Sequence, residues 1–533
     1  MLHTESWQGG QKGFYSLVLL LSTMLHLVSG CTGWEPNKNR HITMEAFSEL
    51  KAPAFVFNMQ EVRKCLHAMA TADGGKAEAD RQTRAYYKGD NGYQLVWVDR
   101  MGVTEQADSL LSWLHMLDEI GFSEKAFQVA DIERDLKRMR ALNFDERDNT
   151  ISRVASRLDY RLTKACARYC YGQRFGFTNP NQLFNHLEVE KEDSLHRVTK
   201  YRGLFDVEMD IAGADYFHQL LQKVRNDSLS FYLHEIQPSG KYYEQLKRML
   251  PSVTSQEERQ RVLVNMERAR WRRHKAIAET GKRIIVNIPS YHLYAYGADS
   301  VLDMRVVCGA VKTKTPQLSS DVEYMEVNPR WVIPMSIIKN EVSHRAGNSD
   351  YFARHRYRIL NRETGKEVSV SEVSSSMLNS GKYAVAQDGG RGNSLGRIVF
   401  RFKNRFSVFL HDTSSPGAFQ NTSRAISHGC VRVSKPFELA EFVLEAPDDW
   451  LLDRIRIAMD KTAQTDRGRQ YVSSHPDEKD RQKVIGYVPV KPHVPLYIIY
   501  NTLWYDQDDV LQSWPDVYGY DKVLWQYLQI YTE

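Results

Sequence analysis

From residue 51 to residue 270, apolar side chains recur every three or four positions, the spacing that turns one face of a helix toward a core. Residues 110–121 (LLSWLHMLDEIG), 130–142 (ADIERDLKRMRAL) and 156–172 (SRLDYRLTKACARYCYG) carry the pattern most clearly, and Asn179-Pro180 marks a break between helices. Residues 94–100 (QLVWVDR) alternate instead, so this half need not be purely helical. At Gly281 the period changes. Residues 283–289 (RIIVNIP), 291–297 (YHLYAYG) and 301–309 (VLDMRVVCG) alternate or run apolar and β-branched, which predicts strands. The expected fold class is α+β, with a mainly helical domain over 51–270 followed by a β-rich, antiparallel domain over 271–460. A polar, Gly/Ser/Asn-rich insertion occupies 340–398, and 461–533 supplies a linker and a C-terminal segment. In that segment, residues 488–505 read as a strand that returns to pack on the β-rich domain. The charge clusters at 132–148 and 256–275 read as solvated helix faces.

One stretch of the β-rich half carries chemistry. Residues 427–433 read Ser-His-Gly-Cys-Val-Arg-Val, and His411 stands nineteen positions before Cys430, at the end of the apolar run FSVFL. A cysteine becomes a nucleophile when a neighbouring base draws off its proton and backbone N–H groups hold the oxyanion that its attack creates. Gly429 lets the chain turn sharply and approach closely just before the sulfur. His428 lies two residues from Cys430 and, on a strand, would share its face. Spacing alone therefore leaves His411 and His428 both open as the base. It also leaves open that the thiol is a small buried hydrophobe.

The motif S-H-G-C-V-R-V preceded by H-D-T resembles the signature of the YkuD-type L,D-transpeptidases, cysteine enzymes that cross-link peptidoglycan. The segments RIIVNIPSYHLYAY (283–296), VVCGAVKTKTP (306–316), NPRWVIP (328–334), NSLG (393–396) and SKPFELA (434–440) resemble, in order, landmarks of the large multidomain YcbB-like branch. The resemblance implies Cys430 as nucleophile and His411 as general acid and base, oriented through a backbone carbonyl rather than by Asp412. It implies Gly429 and Cys430 as backbone oxyanion donors and His428 in a supporting place. Arg432 and Ser427 become substrate-binding candidates, with Trp331, Phe409, Tyr383 and Asn393 as candidates along the substrate path. It also implies that 51–270 is a scaffold domain and that 340–398 is a substrate-capping insertion. The helix at 242–250 (YYEQLKRML) resembles the one that leads into a peptidoglycan-binding module in that branch. Only residues 251–266 follow before the catalytic segment resumes, too few for such a module. Wall affinity then falls to the catalytic site, the scaffold, a cell-wall synthesis partner or a membrane tether.

Residues 14–27 form an apolar run, shorter than the roughly 20 residues of a membrane span and suited to a secretory signal. The following Val-Ser-Gly-Cys resembles a lipobox, which implies a signal peptide at 1–30, acylation of Cys31 and a tether at 31–50. A plain signal peptide is the competing reading. Either places the chain outside the cytoplasm, and the lipobox anchors it by lipid to a membrane facing the periplasm. The net charge of +5 on 533 residues suits an anionic polymer and is too small and dispersed for nucleic acid. The six cysteines form no metal-ligand pattern, and Cys166 and Cys170 read as buried neighbours on one helix face. No cofactor is expected, since thiol acyl transfer needs none.

The expected reaction is transpeptidation. Cys430 attacks the diamino-acid carbonyl of a donor stem, D-Ala leaves, and an amine of a second stem resolves the thioester into a 3→3 cross-link. Water as acceptor makes an L,D-carboxypeptidase, and a protein amine attaches that protein to the wall. From a different class, the domain could be a catalytically degenerate, wall-binding structural lipoprotein.

Overall fold

The computed structural model describes residues 53–89, 94–99, 102–194, 196–277 and 280–533. The expected signal peptide, the lipidation site Cys31 and the tether lie outside them. The chain forms two compact units. One comprises residues up to Arg174 with 212–237 and 530–533, and the other comprises 175–211 and 238–529.

The first unit is helical. Helix α1 (Met59–Ala72) begins where the Asn58 side chain accepts the N–H of Gln60 at 2.9 Å, and α2 (Glu78–Lys88) follows it. Helix α3 (Val129–Ala141) and the long α4 (Ile151–Phe175) complete the frame. Val62, Leu66, Ala70, Tyr87 and Tyr160 make one apolar cluster within it. The charged residues of α4 are largely paired inside the unit. Arg157 and Arg161 each donate to the fully buried Asp135 at 2.8 Å, Arg168 donates to buried Asp80 at 2.6 Å, and Lys164 to Asp73 at 2.7 Å. The reading of 132–148 as a solvated face therefore fails at Asp135, because a helix face lined by arginines lies against it. Cys166 and Cys170 are buried free thiols 3.9 Å apart on α4.

Among the elements of the second unit are the helices α5 (Lys241–Met249) and α6 (Gln256–Arg270) and a closed sheet. Its strands are β1 (Arg283–Asn287), β2 (His292–Tyr296), β3 (Val301–Gly309), β4 (Gln317–Val327), β5 (Ile398–Phe402), β6 (Leu410–His411), β7 (Val431–Val433) and β8 (Tyr487–Ile499). Around the barrel the order is β5-β6-β7-β3-β2-β1-β8-β4, and β4 pairs back onto β5 through Ile398↔Val327. Alternation sends Ile284, Val286, Leu293, Val306, Met325, Phe400, Leu410, Val431, Leu496 and Ile498 inward, all fully buried.

Four expectations change here. The sheet is not purely antiparallel, because β6–β7 and β8–β1 are parallel pairs. The C-terminal segment does more than pack on the domain: β8 is a staple of the barrel between β1 and β4, so the domain cannot end at 460. The insertion is a folded unit that begins near Trp331. Trp331–Val332, Tyr357–Asn361, Glu367–Val368 and Tyr383–Gln387 form a four-stranded sheet over a core of Ile333, Ile338, Val342, Phe352, Ile359, Val373, Leu378 and Val385. Helices α5 and α6 belong to this second unit rather than with the helices before them.

Candidate active site

Strands β6 and β7 run parallel with Leu410 opposite Val431 and His411 opposite Arg432, and the Val431 N–H donates to the Phe409 carbonyl at 3.0 Å. Leu410 and Val431 point into the barrel. Phe409, His411, Cys430 and Arg432 therefore share its outer face, with Cys430 and His411 one diagonal step apart, about 7–8 Å between backbones. Arg401 on β5 joins the same row, its guanidinium 4.1 Å over the Phe409 ring and bonded to Glu326 at 2.7 Å.

The turn before Cys430 is braced from below. Residues 425–427 pair in parallel with β3, and Gly429 then takes φ +116°, a conformation that an L side chain rarely adopts. The Ser427 hydroxyl donates to the Cys430 carbonyl at 2.6 Å and accepts the Gly429 N–H at 3.1 Å. Thr313 Oγ1 donates to the Ser427 carbonyl at 2.7 Å, and Thr315 Oγ1 to the Gly429 carbonyl at 2.8 Å. Gly309 lets the 313–315 strap come this close: a Cβ there would sit 2.1 Å from the Thr313 carbonyl oxygen.

His411 is 4% exposed, and its Nδ1–H donates to the Asp412 carbonyl at 2.5 Å. That bond fixes the tautomer and leaves Nε2 as the acceptor. The Asp412 carboxylate looks elsewhere, accepting the Arg397 N–H at 2.8 Å. Burial, reinforced by the Arg432 charge, pulls the imidazole down to about 4, so the ring is neutral at pH 7. Burial also pushes the Cys430 thiol above its ordinary value, against weaker opposing effects of the Phe409 N–H, Arg401 and Arg432. The resting pair is thus thiol and neutral imidazole, a general-base arrangement. Acylation of Cys430 is expected to be flat between about pH 5 and 8 and to lose half its rate near pH 4, where the ring takes up a proton and can no longer accept one. A rate that rises through pH 6–7, measured by stopped-flow acylation, would contradict this assignment.

Several candidate residues land differently from expectation. Ser427 is 3% exposed with its hydroxyl committed on both sides, so it braces the turn rather than touching substrate. Gly429 was expected as an oxyanion donor, but its N–H is spent on Ser427. Among the described residues nothing accepts the Cys430 N–H, which leaves it as the open donor. Asn393 is fully buried; its amide donates to the carbonyls of Pro329, Gln387 and Asp388 at 3.0–3.3 Å and accepts the Leu395 N–H at 2.7 Å. It therefore shapes the loop that leads into β5, and the Leu395 backbone in turn bonds His411. His428 does not face the sulfur as a base: its Nε2 pairs at 2.6 Å with Glu341 of the insertion. Trp331 and Tyr383 are half-buried against the core of the insertion. Arg432 is half-buried, and its Nε finds no hydrogen-bond partner among the described residues. The sequence reading assigned no role to Thr313, Thr315 or Arg401. The first two lay within a recognised landmark, and Arg401 is visible as the one polar residue in the alternation of IVFRF.

Residues 281–485 match the family model of the YkuD L,D-transpeptidase catalytic domain, and residues 81–250 match a Scaffold domain. A Haemophilus influenzae protein named "Putative L,D-transpeptidase" is 28% identical over 315 residues, which cover 58% of each chain. The alignment thus spans a little over half the length of that relative.

Proposed function

We propose that this chain, which carries a YkuD L,D-transpeptidase catalytic domain behind a Scaffold domain, is a peptidoglycan L,D-transpeptidase that works through a thioester on Cys430. The observation that carries this reading is the diagonal placement of Cys430 and His411 on one face, with Nδ1 of the ring already held by the Asp412 carbonyl. His411 Nε2 takes the thiol proton as sulfur attacks the diamino-acid carbonyl of a tetrapeptide stem. The Cys430 N–H receives the oxyanion, and His411 returns the proton to the departing D-Ala amine. The amine of a second stem then attacks the thioester, gives its proton to His411 and frees the thiol, leaving a 3→3 cross-link. Arg432, whose guanidinium has no carboxylate partner among the described residues, is suited to hold a carboxylate of the donor stem. The apolar run at 14–27 and the cysteine at 31 support export and lipid anchoring, which would bring the site to its substrate in the periplasm.

Intact-mass measurement after incubation with a carbapenem tests the thioester chemistry. One covalent adduct on the wild-type chain is expected, and its absence would leave a binding protein instead. Muropeptide profiling then separates the outcomes: dimers joined 3→3 are expected, whereas tripeptide stems without dimers would indicate a carboxypeptidase.

A further inference from the structure

A pocket of about 730 Å3 opens on the outside of the barrel between the start of α5, the end of α6 and the strands β1, β2 and β8. Its size suits a small-molecule site. It is not an extension of the site already described. Strands β3 and β2 separate β7 from β1 on one side, and β5 and β4 separate β6 from β8 on the other. The pocket thus lies across the barrel from Cys430.

Its wall carries two arginines, Arg273 and Arg283. The Arg273 guanidinium donates to Ser319 Oγ at 2.9 Å and lies 6.0 Å from the Tyr497 ring. Arg283 donates to the Gly281 carbonyl at 3.2 Å and stacks 4.3 Å over Tyr296. Neither has a carboxylate partner among the described residues. Of the acids close by, Asp509 pairs with Lys241, and Asp521 with Arg268 at 2.6 Å. Burial lowers Arg273 to about 10, so it keeps its charge at pH 7. Gln317, 4% exposed, lines the same pocket, and its Nε2 finds no acceptor among the described residues. The terminal torsion of a glutamine is soft, so the amide can swing its donor toward an oxygen in the cavity. Two guanidiniums with no carboxylate partner among the described residues and a spare amide donor all suit the same thing, an anionic group rich in acceptors. Trp271, Trp504 and Tyr242 complete the walls with apolar surface.

We propose that this pocket binds a carboxylate-bearing fragment of the wall polymer, a second attachment point remote from Cys430. The identity of the polymer rests on the function proposed above; the anionic character of the ligand rests on the pocket itself. The carboxylate has two sources, an acidic sugar or a stem peptide. The test uses the full chain with Cys430 first acylated by a carbapenem, so that the catalytic site is blocked, and titrates it calorimetrically with N-acetylmuramic acid, with free tetrapeptide and with muramyl tetrapeptide. At least one of these probes is expected to bind with 1:1 stoichiometry, and the tighter of the first two identifies the source. Arg273→Gln and Arg283→Gln are each expected to weaken that binding about tenfold while the carbapenem acylates Cys430 at the wild-type rate, which reports an intact fold. Absence of binding to the blocked enzyme would overturn the proposal, as would unchanged affinity in both folded variants or equal affinity for a probe whose carboxylates are amidated. Failure of acylation itself would count against the transpeptidase reading alone, and the titration would then use Cys430→Ala.

Discussion

Glutamine in place of His411 is expected to slow acylation of Cys430 by about 10²–10⁴-fold at pH 7, the usual contribution of a positioned general base. The residual rate should then rise about tenfold per pH unit, because without the base only the ionised fraction of a raised-pKa thiol reacts. Alanine at 430 ends acylation altogether. The reason for expecting so large an effect from a ring that does not titrate near neutrality is its tautomer. The Asp412 carbonyl holds the Nδ1 proton at 2.5 Å, and burial keeps the ring neutral and able to receive another. His428→Gln is the informative control. Its partner is Glu341, so acylation by a small β-lactam should be nearly unchanged. If His428→Gln proved as damaging as His411→Gln, the base would have been misassigned.

The second large effect is on stability. Glu267 of α6 is fully buried, and one of its oxygens accepts the Thr178 N–H at 2.7 Å, the Thr178 hydroxyl at 2.8 Å and the Trp271 indole N–H at 3.2 Å. The other oxygen stands 3.7 Å from Arg270, which is 1% exposed. Alanine at 267 strips three donors of their acceptor and removes a carboxylate from a buried guanidinium. The expected cost is about 3–5 kcal/mol, the range for breaking one side of a buried ion pair. Urea unfolding would reveal it as a lower midpoint at unchanged slope. Glu267→Gln keeps an acceptor oxygen and should lose less than half as much. An alanine variant within 1 kcal/mol of the wild type would mean that water replaces the carboxylate, and the bond count would overstate its worth.

Much of this molecule was legible before its fold was known, and the failures follow a physical rule. Local periodicity reports which face of an element is buried, so the helical first half and the change of period at Gly281 were readable. Periodicity does not report what the buried face packs against. Helices α5 and α6 therefore looked continuous with the helices before them, and β8 looked like an accessory strand rather than a stave of the barrel. The insertion was hidden by composition, since the eight residues of its core are scattered through a polar stretch. In the site, the two residues read as nucleophile and base, Cys430 and His411, lie on one face of neighbouring strands. The short polar residues departed from their reading. Ser427 and Asn393 looked like substrate contacts, yet tight turns leave backbone groups unsatisfied, and both side chains are consumed in satisfying them.

The parallel pairing of β1 with β8 has a consequence in time. Ile284 waits for Leu496, a partner about two hundred residues later, so the contact is highly non-local and forms late in folding. Until the polypeptide beyond residue 486 is in place, β1 and β4 each keep an open edge and the ring of strands is incomplete. The turn around Cys430 hangs on that ring through β3 and β7. Assembly thus ends with the last long strand, so a chain still being made would carry its thiol on an unfinished frame.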